Sequence, residues 1–310
     1  MELQHTLIRP VQFSGIGLHT GLMANVVIKP APDNFGIQFC RTDIDPTLFI
    51  PAKASNVSNT NRSTTLKNQN IEVITVEHLL SAFYAIGITN ALVEIDNKEI
   101  PILDGSANFY VHNFSTANKI ELSLPRKTIT IHDVIDWKDV QTGAEYIFLP
   151  HDDFSVTCLI DFPSKMIKHQ YAVLNDIGEY ALEIAPAKTF CFLHEIEYLY
   201  NNGLIKGGNL NNALVFSEKK LSKEKTEWLS TTFHQPANSI PEMGILNPLH
   251  QTYDNEAARH KLLDVIGDLA LTQTYFKGKL IAYKPGHTSN CKFAQFLVEN
   301  YIDVPQEQSL

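Results

Sequence analysis

Alternating apolar residues mark the beginning of the chain. The stretches MANVVIKPA (residues 23–31) and FGIQFCR (residues 35–41) carry apolar side chains at close to every second position, with Pro, Asp and Asn between them. A period of two is typical of a half-buried strand, so the pattern predicts two β-strands joined by a turn.

The period changes to that of a helix after residue 74. Apolar side chains recur three and four residues apart in TVEHLLSAFYAIG (residues 75–87), which predicts an amphipathic helix with Thr75 as its N-cap and Gly87 as its end. ALVEID (91–96) then predicts a strand, and PILDGSANFYVHNFSTA (101–117) predicts a turn and a second helix.

The segment LSLPRKTITI resets the pattern, so we expect a domain boundary at residues 123–127 and two domains, 1–124 and 125–310. The second domain is predicted to contain strands in KTITIHDVI, YIFLP and FSVTCLIDF, helices in CFLHEIEYLYNNG and NEAARHKLLDVIGDLALT, and a strand and a helix in KLIAYKPGHTSNCKFAQFLVENYI. Strands followed by helices in each half favour an α+β fold. VEHLLSAFYAIG and ARHKLLDVIGDL each place a His before a Leu-Leu pair, a weak indication of an internal duplication.

Composition and charge exclude several classes of protein. A hydrophobic content of 44% and a charged content of 19% are those of a globular chain, and the formal net charge of −9 offers no basic surface for nucleic acid. No apolar run reaches the ~20 residues of a membrane span. The four cysteines form no CxxC pair, and the N-terminus MELQHTLIRPV lacks the pattern of a signal peptide. We therefore expect a cytoplasmic protein with reduced thiols, and a monomer.

In RHKLLDVIGD, the residues His260, Asp264 and Asp268 are spaced four apart, along one stripe of a helix. Such a stripe is more often a solvated polar face. The alternative is that an imidazole and a carboxylate one turn apart bind one metal ion, which would need a third ligand.

Glu77 and His78 could complete that site. An acid next to a ligand histidine can reach a water molecule on the metal without occupying the metal itself. His78 would then bind the metal and Glu77 would act as a base, and two histidines with one aspartate leave a position open, as in catalytic zinc sites. The alternative is an acid that only complements the helix dipole, beside a half-buried histidine.

Two further residues have a structural and a chemical interpretation. His287 in YKPGHTSN could be an ordinary turn histidine, or it could be held protonated by Asp268 and stabilise an oxyanion. Thr189 in AKTFCF could be a strand residue or a hydroxyl donor. The glycine-rich stretches GLHTGL and GLIKGGNLNNAL match no nucleotide-binding motif and are interpreted as turns.

Taken together, seven segments resemble the zinc-dependent UDP-3-O-acyl-N-acetylglucosamine deacetylases of lipid A biosynthesis. They occur in the order of that family, over nearly the whole chain: SGIGLHTG, TVEHLLSAFYAIGITNALVEID, EIPILDGSA, KTF, GLIKGGNLNNALV, RHKLLDVIGDLAL and GHTSN. The resemblance implies hydrolysis of the N-acetyl group of UDP-3-O-(3-hydroxyacyl)-N-acetylglucosamine to UDP-3-O-acyl-glucosamine and acetate, the committed step of the pathway.

The resemblance also implies roles for individual residues. One zinc ion would be bound by His78, His260 and Asp264. Whether iron(II) replaces zinc in the cell is left open. Glu77 would be the catalytic acid/base, His287 held by Asp268 the catalytic histidine, and Thr189 the hydroxyl that helps to polarise the amide carbonyl. It leaves open whether Glu77 or His287 protonates the departing amine. The substrate-binding residues would be Lys261 near the diphosphate, Phe162 packed on uracil, His19 near the acylated sugar, and also Phe190 and Lys284.

For the fold, the resemblance implies two similar α+β domains, each with helices packed on sheets and a small insert, and the active site between them. The second insert, about residues 193–215, would present an apolar stripe (Leu193, Ile196, Leu199 and Tyr200) to the acyl chain. Residues 216–253 form a longer segment than the family leads us to expect, and its His234 and His250 could add a weak second metal site. Related chains are sometimes fused to a dehydratase, and this chain, which ends in VPQEQSL, is expected to lack one.

Two other functions stay open at this point. A zinc amidase or peptidase of another specificity would share the metal and the base but not the contacts to a uridine nucleotide. A non-catalytic metal-binding protein would have no need of Glu77.

Overall fold

The structure is a computed structural model that describes residues 2–201 and 206–303. Residues 202–205 and the side chain of Leu199, both in the predicted insert, and the C-terminal VPQEQSL lie outside the described residues.

The first half is built on a five-stranded sheet. Its elements in chain order are β1 (Leu3–Leu7), β2 (Val11–Ile16), β3 (Met23–Pro30), β4 (Ile37–Arg41), β5 (Phe49–Pro51), β6 (Val57–Asn59), β7 (Thr65–Asn68), β8 (Ile71–Ile74), α1 (Glu77–Ile86), β9 (Ala91–Ile95), α2 (Asn108–Ala117) and β10 (Lys119–Pro125). The sheet order is β2-β3-β9-β4-β5, in which only β4 and β9 pair in parallel. Alternate side chains of β3 are buried, as its sequence predicts.

The second half contains a sheet of the same design. Its elements are β11 (Thr128–Thr130), β12 (Ile135–Asp139), β13 (Ala144–Leu149), β14 (Phe154–Asp161), β15 (His169–Leu174), α3 (Tyr180–Glu183), β16 (Phe190–Phe192), α4 (Leu193–Asn201), β17 (Leu214–Ser217), α5 (Lys223–Phe233), β18 (Gly244–Ile245), α6 (Glu256–Leu269), β19 (Tyr275–Tyr283) and α7 (His287–Leu297), followed by the π-helical turn Val298–Ile302. The order is β12-β13-β19-β14-β15, in which only β14 and β19 pair in parallel, and β11 adds to β19 in a further parallel pairing.

The two halves therefore share one topology, which confirms the α+β fold of two similar units and supports an internal duplication. Helix α1 precedes β9 as α6 precedes β19, and α2 follows β9 as α7 follows β19. Each half also carries an additional three-stranded sheet, β6-β7-β8 in the first and β16-β17-β18 in the second. Strand β10 pairs back with β1, whereas β11 pairs with β19. The domain division at residue 124 stays a prediction.

Apolar side chains from both halves form one continuous core. A smaller apolar cluster lies in the second insert, where α4 and α5 pack on the sheet β16-β17-β18; its buried members are Leu193, Ile196, Leu210, Val215, Leu229, Ile240 and Leu246. Among the helices that the structure describes, none has the length and hydropathy needed to span a bilayer.

Helices α1 and α6 approach each other closely at Gly267. A Cβ atom on Gly267 would lie 2.1 Å from the carbonyl oxygen of Glu77. The backbones can come this near only because residue 267 has no side chain. This contact brings the first turn of α1 beside the middle of α6, so that residues from both halves of the chain meet.

Several predicted boundaries are wrong in detail. Thr75 is not the N-cap of α1: Val76 occupies that position, and Thr75 has a left-handed φ of 61° with its hydroxyl bonded to Glu99. The predicted helix CFLHEIEYLYNNG begins only at Leu193, because Cys191 and Phe192 pair with β17. Only Thr128–Thr130 of the predicted strand KTITIHDVI pairs before β12.

The long segment after Val215 is ordered into several elements. It includes the end of β17, the helix α5 and the strand β18. The second insert thus extends well beyond the predicted residues 193–215. Only Leu229 of α5 is buried. The helix therefore lacks the broad apolar stripe from which a helix can be predicted in a sequence.

The contact at Gly267 predicts an unusual response to mutation. Alanine is better than glycine inside a helix by about 1 kcal/mol, yet Gly267→Ala should lower the free energy of unfolding by about 1–3 kcal/mol, because the new methyl group overpacks the contact with α1. Chemical denaturation measures the change.

Ala258→Gly in the same helix is the matched control, since residue 258 is also buried. It should be destabilising by about 1 kcal/mol or more through helix propensity and the lost methyl group. A Gly267→Ala protein as stable as the parent would contradict the proposed close approach.

Candidate active site

Three predicted metal ligands from the two helices converge. One ligand atom from each of His78, His260 and Asp264 lies within 4.8 Å of the others, and all three residues are buried. The Nε2 atoms of His78 and His260 are 3.9 and 3.6 Å from the same carboxylate oxygen, Oδ1 of Asp264. This is the only group of three or more potential ligands of this kind in the described part of the chain, and it does not include His234 or His250.

The chemistry of these donors fits a divalent cation. Asp264 Oδ1 is buried and has no hydrogen-bond partner among the described residues, although a carboxylate oxygen is costly to bury unpaired. His260 Nδ1 is 3.0 Å from the carbonyl oxygen of Ala187, which accepts its proton and leaves Nε2 as the free lone pair. The set of two histidines and one aspartate is common in catalytic zinc sites.

The protonation of the ligands fits metal binding as well. Burial lowers the pKa of His78 to about 3, and burial also lowers the pKa of His260, so both rings are neutral at pH 7. Burial opposes ionisation of Asp264, but neighbouring positive charges, that of Lys261 first among them, outweigh it and hold the pKa of the carboxyl well below its usual range. Neutral imidazoles and an ionised carboxylate are the forms that bind metals.

Glu77 and His287 face each other beside this cluster. Glu77 Oε1 and His287 Nε2 are 3.9 Å apart. Burial raises the pKa of Glu77 to about 7, against the opposing effect of the His287 charge. Burial alone would lower the pKa of His287, but the carboxylates of Asp264 and Asp268 outweigh it and raise the pKa to about 9. A buried carboxyl group with a pKa near 7 can exchange a proton at neutral pH.

Asp268 lies behind His287. Its Oδ2 atom is 3.0 Å from His287 Nδ1 and accepts a hydrogen bond from Asn290 at 2.8 Å. The polar stripe of α6 is therefore not a solvated face: His260, Asp264 and Asp268 are 2%, 1% and 0% exposed. Glu77, in the first turn of α1, is buried as well, with 3% of it exposed.

A cavity of about 370 Å³ opens onto these groups. Of the residues predicted from the sequence, those that line it are His19, Glu77, His78, Phe162, Thr189, Phe190, His260, Lys261, Asp264 and His287. At its apolar end are Ile196, Leu210, Ala213, Val215 and Phe233. One cavity thus combines titratable groups with an apolar wall from the second insert, and Phe233 comes from the unexpected helix α5.

Of the residues predicted to bind substrate, all but Lys284 line the cavity. Phe162 and Phe190 pack edge to face with ring centroids 5.5 Å apart, and Lys261 donates to Asp264 Oδ2 at 2.8 Å. Lys284 does not line the cavity; it forms an ion pair with Asp161 at 2.8 Å. Within the insert, Ile196 lines the cavity, while Tyr200 is half exposed and packs on Trp228.

The two glycine-rich stretches contact each other at the wall of the cavity. The N–H of Gly207 donates to the carbonyl oxygen of Leu18 at 3.1 Å. A Cβ atom on Gly207 would lie 2.1 Å from the carbonyl oxygen of Gly17, so the two chains approach as backbone against backbone. This contact joins the loop that carries His19 to the second insert.

Glu99 binds the same loop through its carboxylate, a role that no pattern in the sequence indicates. The buried carboxylate accepts hydrogen bonds from the N–H groups of His19 and Thr20, at 2.9 and 2.8 Å, and from the Thr20 hydroxyl at 2.7 Å. A fourth bond, at 3.1 Å, comes from the hydroxyl of Thr75, whose left-handed backbone is unfavourable for a β-branched residue. Glu99 therefore ties the His19 loop to the turn that starts α1.

Thr64 was also missed. It is fully buried and contacts both Glu77 and Asp268. It lies in the polar run NTNRSTT, which has no periodicity that could have drawn attention to it.

Comparison with known proteins identifies a family whose model matches nearly the whole chain. The family model for LpxC, UDP-3-O-acyl N-acetylglycosamine deacetylase, matches residues 4–233 and 234–299. A UDP-3-O-acyl-N-acetylglucosamine deacetylase of Teredinibacter turnerae is 39% identical over 94% of this chain and 88% of its own length.

Two longer relatives are also similar. The bifunctional enzymes LpxC/FabZ of Bacteroides thetaiotaomicron and Porphyromonas gingivalis are 43% and 40% identical over 95% and 96% of this chain. The chain spans 64% of the length of each of these two relatives.

The ligand geometry predicts that His260→Ala loses a bound divalent metal. Removal of one of three ligands should weaken binding by at least ~100-fold, so dialysed protein should contain close to one metal per chain in the parent and almost none in the variant. Elemental analysis by mass spectrometry measures the content, with circular dichroism to check the fold. His234→Ala, at an exposed histidine outside the cluster, is the control. Equal metal content in His260→Ala and the parent would refute the predicted site.

The network of Glu99 predicts a large loss of stability on its removal. Glu99→Ala would leave three buried or half-buried residues with unpaired donors, each of which costs about 1–3 kcal/mol when buried. The free energy of unfolding, measured in urea, should therefore fall by several kcal/mol. Glu94→Ala is the matched control, because Glu94 forms only a partly exposed ion pair with Lys29 and should cost less than ~1 kcal/mol. Similar losses in the two variants would show that Glu99 has no special structural role.

Proposed function

Because the chain belongs to the UDP-3-O-acyl-N-acetylglucosamine deacetylase family, we propose that it removes the N-acetyl group of UDP-3-O-acyl-N-acetylglucosamine in lipid A biosynthesis. The observation that carries the proposal is the arrangement of Glu77 and His287, 3.9 Å apart, at the edge of a cluster of three potential metal ligands. A base, a cationic histidine and a metal site in one cavity together can catalyse the hydrolysis of an amide.

We propose zinc as the metal, held by His78, His260 and Asp264. A divalent cation on these ligands supplies Lewis-acid polarisation of a water molecule and of the amide carbonyl. The two neutral imidazoles and the single carboxylate would leave the site with a net positive charge, which favours a developing oxyanion.

The remaining steps fall to residues of the chain. Glu77 accepts a proton from the water molecule as its oxygen attacks the acetamide carbonyl. Protonated His287, with Asp268 at its other nitrogen, stabilises the negative charge on the carbonyl oxygen, and the Thr189 hydroxyl donates to the same atom. The C–N bond then breaks, the amine takes a proton from Glu77 or His287, and acetate leaves. Because Glu77 begins as a base, it must be ionised before the attack.

The lining of the cavity supports an acylated substrate. Its apolar end, formed by residues of the second insert, offers burial to a hydrocarbon chain, at about 0.8 kcal/mol per methylene. Phe162 and Phe190, which also line the cavity, would pack on the uracil ring, and Lys261 would lie near the diphosphate. These contacts, and one from Lys284, are part of the proposal.

A cytoplasmic location and a monomeric state stay predictions. The described cysteines are all free, which fits a reducing compartment.

Glu77→Gln tests the proposal, because it keeps the shape of the side chain and removes the base. Release of acetate from UDP-3-O-(3-hydroxyacyl)-N-acetylglucosamine should fall by at least ~100-fold in kcat, while the metal content stays at the parent value. Glu72→Gln, at a half-exposed carboxylate that pairs with Lys98, is the control and should be as active as the parent.

Each contrary result has a distinct meaning. A Glu77→Gln protein with the turnover of the parent would show that Glu77 is only a structural acid at the start of α1. A parent that binds metal but releases no acetate from this substrate, and whose metal site is unaffected by UDP, would point to another amide.

A further inference from the structure

Thr64 contacts two carboxylates of the candidate site at once. Its N–H donates to Glu77 Oε2 at 3.0 Å, and its hydroxyl donates to Asp268 Oδ1 at 2.5 Å. The residue itself is 0% exposed, so solvent does not compete for either bond. Among the described residues, this is a direct link between the proposed base and the aspartate behind His287.

The direction of the hydroxyl bond follows from the partners around it. The hydroxyl oxygen of Thr64 is 3.3 Å from His287 Nδ1, but that nitrogen is closer to Asp268 Oδ2, at 3.0 Å. A protonated Nδ1 donates and an ionised carboxylate only accepts, so the hydroxyl proton points to Asp268 Oδ1. Short bonds to an ionised acceptor are the strong ones.

Both oxygens of Asp268 are therefore engaged. Thr64 holds Oδ1, whereas His287 and Asn290 share Oδ2. Asn290 lies on the same helix as His287, so these two contacts join Asp268 only to α7. They do not fix the position of α7 relative to the first half of the chain. The bond from Thr64 is the one that comes from the first half.

The contact thus crosses between the halves. Thr64 immediately precedes β7 in the first insert, while Asp268 and His287 belong to α6 and α7. A second bond in the same region joins the hydroxyls of Thr60 and Thr288 at 2.7 Å. The 3.9 Å spacing between Glu77 and His287 depends on how these two parts are held together.

We propose that Thr64 is a positioning residue, whose hydroxyl and N–H hold the Asp268–His287 pair in register with Glu77. The proposal rests on the proposed deacetylation. Thr64 itself lies behind both carboxylates and does not line the cavity, so it acts through them and not on the substrate. Its loss should affect the chemical step and leave binding of substrate and metal in place.

Thr64→Ala and Thr64→Ser separate the hydroxyl from the rest of the side chain. Both keep the N–H bond to Glu77 and both lack the methyl group, but only serine can donate to Asp268. We expect Thr64→Ala to lower kcat by about 10–100-fold, because small displacements of reacting groups have effects of this size. KM should change by less than about twofold and metal content should not change, while Thr64→Ser should recover most of the kcat.

The matched control is Thr65→Ala, the same substitution at the neighbouring buried threonine, which should keep the kcat of the parent. If Thr64→Ala does not fold, Thr64→Val replaces it, since valine also lacks the hydroxyl. A merely structural role would lower the unfolding temperature of the alanine and serine variants alike and leave kcat per folded molecule unchanged.

Three results would overturn the inference. An active parent with an equally active Thr64→Ala variant would show that the hydroxyl has no part in positioning. Equal losses of kcat in the alanine and serine variants would assign the effect to the methyl group. A parent without deacetylase activity would refute the proposed function, and the inference with it.

Discussion

The close approach of α1 and α6 is the constraint on which the candidate site depends. A side chain at position 267 would collide with the backbone of Glu77. With glycine there, the first turn of α1 lies against α6, and His78 comes within 3.9 Å of a carboxylate oxygen of Asp264. The cluster of potential metal ligands and the carboxylate of Glu77 beside it follow from this one contact between backbones, because their side chains extend from the two helices on either side of it.

Burying so many charges in one place carries an electrostatic cost, and the site reduces it by pairing. Asp264 is accompanied by Lys261, and Asp268 by Thr64, Asn290 and His287. Glu77 accepts a hydrogen bond from the N–H of Thr64, and His287 Nε2 lies 3.9 Å from its Oε1 atom. The pKa of Glu77 is raised to about 7, because the charge of His287 only partly offsets the effect of burial. Asp264 Oδ1 is the one buried carboxylate oxygen that has no hydrogen-bond partner among the described residues. A carboxylate oxygen left alone in such a network marks where a cation can add the missing charge.

The sequence predicted the parts whose pattern is local. Helices α1 and α6 were recognisable from apolar periodicity, and the convergence of His260 and Asp264 from their spacing. The roles of Glu77, His287 and Thr189 came from the resemblance to a family, and spacing alone had left the structural alternatives open. What could not be predicted depends on contacts between distant residues. Thr64 and Asp268, which form one hydrogen bond, are 204 positions apart. Thr75 does not act as the N-cap of α1, and its hydroxyl donates instead to Glu99, 24 residues later.

The shared topology of the two halves has a consequence for how such a site can arise. In a symmetrical dimer of one unit, every residue at the interface would be present twice, and ligands would come in identical pairs about the axis. Here the first half contributes Glu77 and His78, while the second contributes His260, Asp264 and His287. Two similar units in one chain are free to differ in sequence, so that α1 can carry an acid beside its one potential ligand while α6 carries two potential ligands. The asymmetry that the chemistry needs is thus a product of covalent linkage.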